Sequence, residues 1–276
     1  MRKGFLVELS IPSILSRFNR SSIWRTEFGA WGQRLIIPSA DRLLYAVLHR
    51  SGWMGRDDRR FFEDQLKPGM KVLDVGANIG LYTLLFSDLV GELGKVYSFE
   101  PDPISYASLK EACRVNNRSN IRHFPCALGN SRGKALLQKS IFNSGDNRIK
   151  AGAVPDVEEE RERTPLISVD RADFLLPSET VDFIKMDVQG WEFHALSGMG
   201  TLIRRSDEVQ IYFEFWPQGL RNAGSSPDAL FDLLHSYGLS VLREQRHDWQ
   251  EVRSSRELLG QMRNNQYINL LAKRLK

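Results

Sequence analysis

The sequence predicts an α/β fold in which a mainly parallel sheet carries helices on both faces. From residue 71 onward, short apolar runs alternate with segments of helical apolar spacing, the pattern of parallel strands joined by crossover helices. Two apolar runs near the end of the chain, residues 239–242 and 266–272, have no convincing helix between them. This arrangement predicts that the last strand runs antiparallel to its neighbours.

The individual elements follow from the apolar periodicity and from the residue at which each run stops. The first run stops at Gly76, the second at Glu100 and a later one at Asp187. The predicted strands before the end of the chain are residues 72–75, 95–99, 121–124, 181–186 and 208–215. The predicted helices are residues 81–90 and 104–115, a helix from about residue 191, and residues 227–237.

The middle of the chain breaks this alternation. Residues 134–140 and 166–169 are predicted to pair as a small hairpin, which leaves residues 141–164 as a long excursion. A loop of this length inside a compact domain is either functional or disordered. Its polar segment, residues 143–148, suits a lid that closes over an acceptor.

Residues 1–66 are interpreted as a helical extension, with helices over 41–50 and 59–66, that precedes a main domain over residues 67–276. The chain begins with basic residues as a signal peptide does, but Glu8, Pro12 and Arg17 interrupt the apolar stretch. No run approaches the roughly 20 apolar residues of a membrane span. We therefore expect a cytoplasmic protein without a membrane span.

Composition and charge exclude several classes of protein. A chain of 276 residues with 42% hydrophobic and 26% charged residues is not collagen-like, low-complexity or wholly disordered. Its 38 basic and 34 acidic residues leave a net charge of only +4, so nothing favours a nucleic-acid partner. Cys113 and Cys126 are too few for a disulfide framework and lack the close spacing of a zinc site.

The polar residues that end the strands are the candidates for a site, because open α/β sheets bind ligands beyond the carboxyl ends of their strands. In Asp74-Val-Gly-Ala-Asn-Ile-Gly80, Gly76 allows a tight turn and Gly80 allows the next helix to begin close to a ligand. Glu100 closes the next strand, where an acidic residue hydrogen-bonds the ribose of a nucleoside. The spacing is not G-x-G-x-x-G, and a pyrophosphate beside Asp74 would be poorly accommodated. S-adenosylmethionine is therefore favoured over NAD.

Three blocks of sequence resemble the FkbM family of S-adenosylmethionine-dependent methyltransferases, in matching order over about residues 68–216. They are Val72-Leu-Asp-Val-Gly-Ala-Asn-Ile-Gly-Leu-Tyr-Thr83, Phe99-Glu-Pro-Asp-Pro103 and Phe183-Ile-Lys-Met-Asp-Val-Gln-Gly-Trp-Glu192. The resemblance implies a Rossmann-like, seven-stranded class I methyltransferase sheet with its last strand antiparallel. It also implies O-methylation of a hydroxyl on a sugar or another small natural product. Gln189 departs from the family's usual Asp-Val-Glu-Gly.

The resemblance further implies a set of residues that hold the cofactor. Residues 74–83 would surround its methionine part, and Glu100 would hold the ribose. Pro101, Asp102, Cys126 and Ala127 would flank the adenine, and Asp187 would lie nearest the transferring methyl. For Cys126 and Ala127, ordinary packing at the end of a strand is the alternative. The implied cofactor-binding residues are Asp74, Gly76, Ala77, Asn78, Gly80, Thr83, Glu100, Pro101, Asp102, Cys126, Ala127 and Asp187.

Asp187 is the leading catalytic candidate, as a general base or as the acceptor that orients the substrate hydroxyl, because it ends the fourth strand. Glu214, which ends the fifth strand, is the second candidate, and an ion pair with Lys185 or an arginine is its alternative interpretation. His194 is the third candidate, and its alternative is a packing role. Carboxylates at Asp187, Glu192 and Glu214 suit Mg²⁺, but no ligand spacing here demands a metal.

Four other functions are weighed against this one. Base amino methylation is disfavoured because Asp187-Val-Gln-Gly stands where such enzymes carry an Asn/Asp-Pro-Pro-aromatic block. A protein acceptor stays open, as does a non-catalytic module that only binds a nucleoside. A dehydrogenase is disfavoured by the glycine spacing.

Overall fold

The computed structural model describes residues 25–30, 32–38, 56–140, 143–150, 164–245, 248–263 and 266–275. Strands and helices are numbered along these residues. The strands are β1 Arg25–Ala30, β2 Gln33–Pro38, β3 Lys71–Val75, β4 Lys95–Phe99, β5 Ile121–Phe124, β6 Ala127–Leu128, β7 Gly133–Gln138, β8 Arg148–Lys150, β9 Leu166–Asp170, β10 Phe183–Met186, β11 Gln210–Phe215, β12 Ser240–Gln245, β13 Asp248–Val252 and β14 Ile268–Lys273. The helices are α1 Arg56–Gln65, α2 Leu81–Val90, α3 Pro103–Val115, α4 Ala172–Leu175, α5 Glu192–Ser197, α6 Gly200–Arg205, α7 Pro217–Asn222, α8 Pro227–Ser236 and α9 Ser255–Leu259, and a 3₁₀ turn spans Ser144–Asp146.

The main sheet has the strand order β13-β12-β14-β11-β10-β3-β4-β5. Strands β5, β4, β3, β10 and β11 are parallel, whereas β14 runs antiparallel to both β11 and β12. The prediction of a parallel sheet with a reversed last strand is confirmed. Counting only the seven predicted strands gives the order 3-2-1-4-5-7-6, with the switch in strand order between β3 and β10. The edge strand β13 and the short helix α9 were not predicted.

Both faces of this sheet are buried, because alternate residues of the central strands enter different hydrophobic clusters. Leu73 and Ile184 belong to a cluster that includes residues of α5, α6 and α8. Val72 and Phe183 belong to a second cluster with residues of α1 and α2 on the opposite face. A strand buried on both faces reads as an apolar run, which is why these strands were visible in the sequence.

A second sheet of four strands, with the order β6-β9-β7-β8, is inserted between β5 and β10. The predicted hairpin is confirmed, since β7 pairs with β9 in antiparallel register from Gly133↔Val169 to Leu136↔Leu166. Strand β8, inside the predicted excursion, adds to the outer edge of β7. The rest of that excursion, residues 151–163, lies outside the described residues.

The helical interpretation of residues 1–66 is wrong for residues 25–38, which form the β1–β2 hairpin. Leu35 and Ile37 pack with residues of α2 and α3, so this hairpin shares the core of the main domain. The helix predicted at 59–66 is found as α1, and the helix predicted at 41–50 lies outside the described residues. Among the helices that are described, none has the length and apolar character that crossing a bilayer requires.

Candidate active site

A cavity of about 500 Å³ opens beyond the carboxyl ends of β3, β4, β10 and β11, at the switch in strand order. The turn after β3 forms its floor. Gly76 has φ +81°, and a Cβ added there would lie 2.1 Å from the backbone oxygen of Asp187. Glycine is therefore required at this position. The backbone of Gly76 packs directly against the backbone of Asp187, so the ends of β3 and β10 lie in contact.

The turn continues through Asn78, which also has a left-handed backbone with φ 49°. The backbone N–H groups of Gly76 and Ala77 each donate to the carbonyl of Phe99 at 3.0 Å, which binds the turn to the end of β4. Residues 76–79 line the cavity, and α2 begins directly behind them.

Glu100 connects this turn to the loop after β4. One oxygen, Oε2, accepts the N–H of Asn78 at 2.8 Å, and the other, Oε1, accepts the N–H of Asp102 at 2.8 Å. Burial raises the pKa of Glu100 to about 7, although both hydrogen bonds act in the opposite direction. Because each carboxylate oxygen has a second lone pair and Glu100 lines the cavity, it can still accept hydrogen bonds from ribose hydroxyls.

Asp74 is placed differently from the prediction. It is 0% exposed and does not line the cavity. Its Oδ2 accepts the hydroxyl of Thr83 at 2.5 Å, and its Oδ1 lies 3.6 Å from Nζ of Lys185. Burial raises the pKa of Asp74, while Lys185 and the Thr83 hydroxyl act to lower it. Asp74 therefore supports the wall of the cavity from behind.

The predicted cofactor-binding residues thus divide into two groups. The cavity is lined by Gly76, Ala77, Asn78, Glu100, Pro101, Ala127 and Asp187. Residues that do not line it are Asp74, Gly80, Thr83, Asp102 and Cys126. Asp102 caps the N-terminus of α3 and forms an ion pair with Lys139 of the loop after β7, at 2.7 Å. Cys126 is buried beside the end of β5, as its packing alternative anticipated.

At the ends of β10 and β11, the amide of Gln189 connects the two leading catalytic candidates. Its Nε2 donates to Oδ1 of Asp187 at 2.8 Å and to Oε2 of Glu214 at 3.2 Å. Burial raises the pKa of Glu214 to about 9, and the nearby charges of Asp187 and Glu192 add to the effect. Lys185 forms its ion pairs with Asp74 and Asp187, so the alternative interpretation of Glu214 as its partner is not supported.

Glu192 holds the turn that carries Asp187 and Gln189. It is 0% exposed, and its Oε1 accepts the N–H groups of Val188 at 3.3 Å and Gly190 at 3.2 Å. Burial raises the pKa of Glu192 to about 7. The turn has two consecutive left-handed residues, Gln189 with φ 54° and Gly190 with φ 99°, so these hydrogen bonds stabilise an unusual backbone.

His194 is not brought into the cavity, so the structure does not support its prediction as a catalytic residue. Its ring stacks on Trp191 with 4.0 Å between ring centroids, and its Nε2 donates to the carbonyl of Ala223 at 2.8 Å. These contacts match the packing alternative. Within the described part of the chain, no three His, Cys, Asp or Glu side chains are grouped to hold a metal ion, so Mg²⁺ has no support here.

Several lining residues were missed in the sequence, among them Lys185, Tyr212, Tyr267 and Asn269. Lys185 was detectable as a charge inside the apolar run 181–186. Tyr267 directly precedes the antiparallel strand β14 and Asn269 lies in it, and the start of β14 pairs with the carboxyl end of β11.

The polar segment predicted as a lid lies on the cavity wall. Residues 143–147 line the cavity, and Nδ2 of Asn78 donates to Oγ of Ser144 at 3.0 Å. The guanidinium of Arg148 lies over the ring of Trp216 at 4.3 Å. The segment therefore contacts the turn after β3 near its first end and the residue that follows β11 at its second end.

The strand order and the glycine turn at the switch point define a Rossmann-like methyltransferase domain. Residues 74–241, more than half of the chain, match the family described as the methyltransferase FkbM domain. The protein belongs to this family.

Two curated relatives are similar to parts of the chain. The 31-O-demethyl-FK506 methyltransferase FkbM of Streptomyces tacrolimicus is 35% identical over 98 residues, which is 36% of this chain and 35% of that protein. The chain therefore spans about a third of that relative's length. Methyltransferase sdnD of Sordaria araneosa is 25% identical over 215 residues, covering 64% of this chain and 76% of that protein.

Solved structures with similar coordinates include a SAM-dependent methyltransferase from Aquifex aeolicus, at 17% identity and a TM-score of 0.40, covering 79% of this chain and 90% of that one. Another is precorrin-6y C5,15-methyltransferase from Geobacter metallireducens GS-15, at 11% identity and a TM-score of 0.42, covering 79% and 86%.

Proposed function

We propose that the protein transfers a methyl group from S-adenosylmethionine to a hydroxyl oxygen of a small acceptor, a sugar or another natural product. The observation that carries the proposal is the position of Asp187. Its side chain is 42% exposed and lines the cavity at the end of β10, between the glycine turn and Glu214. The Streptomyces relative is named as the methyltransferase of 31-O-demethyl-FK506, which supports a hydroxyl acceptor.

The residues on the β4 side of the cavity fit a nucleoside. Glu100 is a buried carboxyl group that lines the cavity, which suits the two hydroxyls of a ribose. Beyond it, Pro101, Ala127, Leu128 and Ile149 give an apolar surface for a flat base. Residues 76–78 of the glycine turn line the cavity, where the methionine part can approach them.

When bound, S-adenosylmethionine supplies a methyl group on a cationic sulfur, which leaves with the electron pair of the broken carbon–sulfur bond. Asp187 accepts the proton of the acceptor hydroxyl, which frees an oxygen lone pair for the new bond to carbon. General-base action of this kind contributes typically ~10²–10⁴-fold, and holding the reacting atoms in line contributes roughly 7–11 kcal/mol. The hydrogen bond from Gln189 and the turn held by Glu192 therefore matter as much as the base.

Two measurements test the proposal. Thermal shifts with S-adenosylmethionine and with NAD identify the nucleoside, and a ligand at 100 times its dissociation constant adds ~2.7 kcal/mol of stability. Incubation of a metabolite pool with a deuteriomethyl donor, followed by mass spectrometry, identifies the product. The Asp187→Asn variant serves as the comparison, because it should bind the donor and form little product. Stabilisation by NAD alone, or label found only on nitrogen or carbon, would overturn the proposal.

A further inference from the structure

Lys185 is a buried cation that faces the cavity. It is only 6% exposed, and it lies in the middle of the sheet on β10. Of its oxygen neighbours among the described residues, only the carbonyl of Gly76, at 3.3 Å, is within hydrogen-bond distance of Nζ. The carboxylates of Asp74 and Asp187 lie at 3.6 and 4.0 Å. An ammonium group has three N–H donors, so Nζ has donor capacity left for a ligand.

Two half-buried lysines among the described residues form close ion pairs. Lys71 lies 2.7 Å from Glu179, and Lys139 lies 2.7 Å from Asp102. The wider separations at Lys185 are therefore not the general behaviour of lysine in this structure. They leave room between the ammonium and the Asp187 carboxylate.

The size of that space fits one oxygen atom. Two polar atoms 4.0 Å apart can both contact a third atom at about 2.8 Å, the usual distance of a charge-assisted hydrogen bond. A hydroxyl oxygen placed there donates its proton to Asp187 and accepts from Lys185. A protonated amine has no lone pair to accept from Lys185, and its charge is repelled.

The charges around Lys185 agree with this arrangement. Asp74 lies behind it on β3, Asp187 lies on the cavity side, and Glu214 of β11 acts on the same region. The ring of Tyr82 on α2 also lies near the ammonium, with its centroid 5.1 Å from Nζ. The ammonium is thus held from behind and open toward the acceptor.

We propose that Lys185 is a further catalytic residue, which binds the acceptor oxygen together with Asp187 and selects an oxygen nucleophile over an amine. This proposal rests on the proposed function. As the hydroxyl proton passes to Asp187, the Lys185 ammonium stabilises the negative charge that develops on oxygen. The oxygen lone pair then forms the new bond to the methyl carbon, and the electron pair of the carbon–sulfur bond leaves on sulfur.

The test uses 4-nitrophenol as a probe of the acceptor site, because its absorbance distinguishes the phenol from the phenolate. The probe is titrated into the full-length protein saturated with S-adenosylhomocysteine. We expect saturable binding with a phenolate spectrum, and no binding of 4-nitrobenzylamine. Lys185→Met should weaken 4-nitrophenol binding by about tenfold or more and abolish the phenolate signal, and Lys185→Arg should restore part of both.

Lys71→Met is the matched control, because Lys71 also forms an ion pair. Lys71 lies at the start of β3, at the end of the strand away from the cavity, and does not line the cavity. It should leave probe binding unchanged. If Lys185→Met does not fold because Asp74 loses its partner, the neutral double variant Asp74→Asn/Lys185→Met replaces it. The affinity for S-adenosylhomocysteine should change by less than about twofold in each variant.

Several results would overturn the proposal. They are an unchanged probe affinity in Lys185→Met, equal binding of the amine, an absence of saturable phenol binding to the unsubstituted protein, or an equal loss of S-adenosylhomocysteine affinity. An equal loss of S-adenosylhomocysteine affinity would indicate that the Lys185 ammonium binds the carboxylate of the cofactor and not the acceptor oxygen. Failure of the unsubstituted protein to bind S-adenosylhomocysteine would refute the proposed function separately, and the probe titration on the ligand-free protein would still test Lys185.

Discussion

Substitution of Gly76 by alanine tests how closely the turn after β3 approaches the end of β10. The backbone has φ +81°, and an added Cβ would lie 2.1 Å from the carbonyl oxygen of Asp187. A left-handed backbone costs alanine about 1–2 kcal/mol. Overlap with a backbone atom in a packed sheet adds about 1–3 kcal/mol. We therefore expect Gly76→Ala to lower the free energy of unfolding by about 2–5 kcal/mol.

Gly224 offers a matched control for this measurement. Its φ is also +81°, but no atom lies within 4 Å of an added Cβ. Gly224→Ala should therefore show only the backbone cost of about 1–2 kcal/mol. Urea unfolding followed by circular dichroism gives both free energies, and their difference measures the close approach itself.

The same contact predicts a loss of activity. Restoring an ordinary separation, from 2.1 to 3.4 Å, displaces the Asp187 backbone relative to the turn by 1.3 Å. A misplacement of this size can lower the rate by about 10²-fold. Gly76→Ala should lose methyl transfer to this extent in the deuteriomethyl assay, whereas Gly224→Ala should retain it. Equal stability and equal activity of the two variants would refute the reasoning.

Three further substitutions test other groups of the cavity. Under the proposed function, Glu100→Gln removes a carboxylate that accepts ribose hydroxyls, so the dissociation constant for S-adenosylhomocysteine should rise about tenfold in calorimetry; an unchanged constant would count against the ribose assignment. Burial raises the pKa of Glu214 from 4.5 to about 9. Between these pH values the native state keeps a proton that the unfolded chain releases. The contribution of Glu214 to the free energy of unfolding therefore falls as the pH rises from 4.5 to about 9. Glu214→Gln should therefore make unfolding free energies decline less over the same range, and an identical decline would contradict the burial argument. Gln189→Glu removes the amide N–H groups that donate to Asp187 and Glu214. We expect kcat to fall about tenfold and the pH profile of kcat to shift to higher pH. The control Gln218→Glu, on the exposed surface of α7, should leave kcat and its pH profile unchanged.

The strands that were predicted correctly are those that both faces of the sheet bury. Strands β3, β4 and β10 appear in the sequence as apolar runs, because helices cover them on each side. Strand β13, with the sequence Asp-Trp-Gln-Glu-Val, pairs only with β12 at the edge of the sheet. Its polar side chains remain in water, so hydrophobic periodicity does not distinguish it from a loop.

The rule that residues at the carboxyl ends of parallel strands line one cavity holds for Gly76, Glu100, Asp187 and Glu214. It failed for Asp74 because it takes no account of the alternation of side chains along a strand. Asp74 lies on the α2 face, opposite Leu73 and Val75, and below the end of the strand. An acidic residue two positions before the turn is therefore a core residue, although it belongs to the most recognisable block of the sequence.

The registers of the sheet explain how this buried acid can still affect the site. Ser98, Asp74, Lys185 and Tyr212 occupy matching positions on β4, β3, β10 and β11, so they form one row across the same face. A carboxylate with no exposure is expensive to bury unless a cation or a hydrogen-bond donor balances it. Lys185 and Thr83 supply that balance, and of the two only Lys185 also lines the cavity. Under the proposed function, Asp74 therefore acts on the acceptor side by holding Lys185 in place, while Glu100 contacts the nucleoside directly.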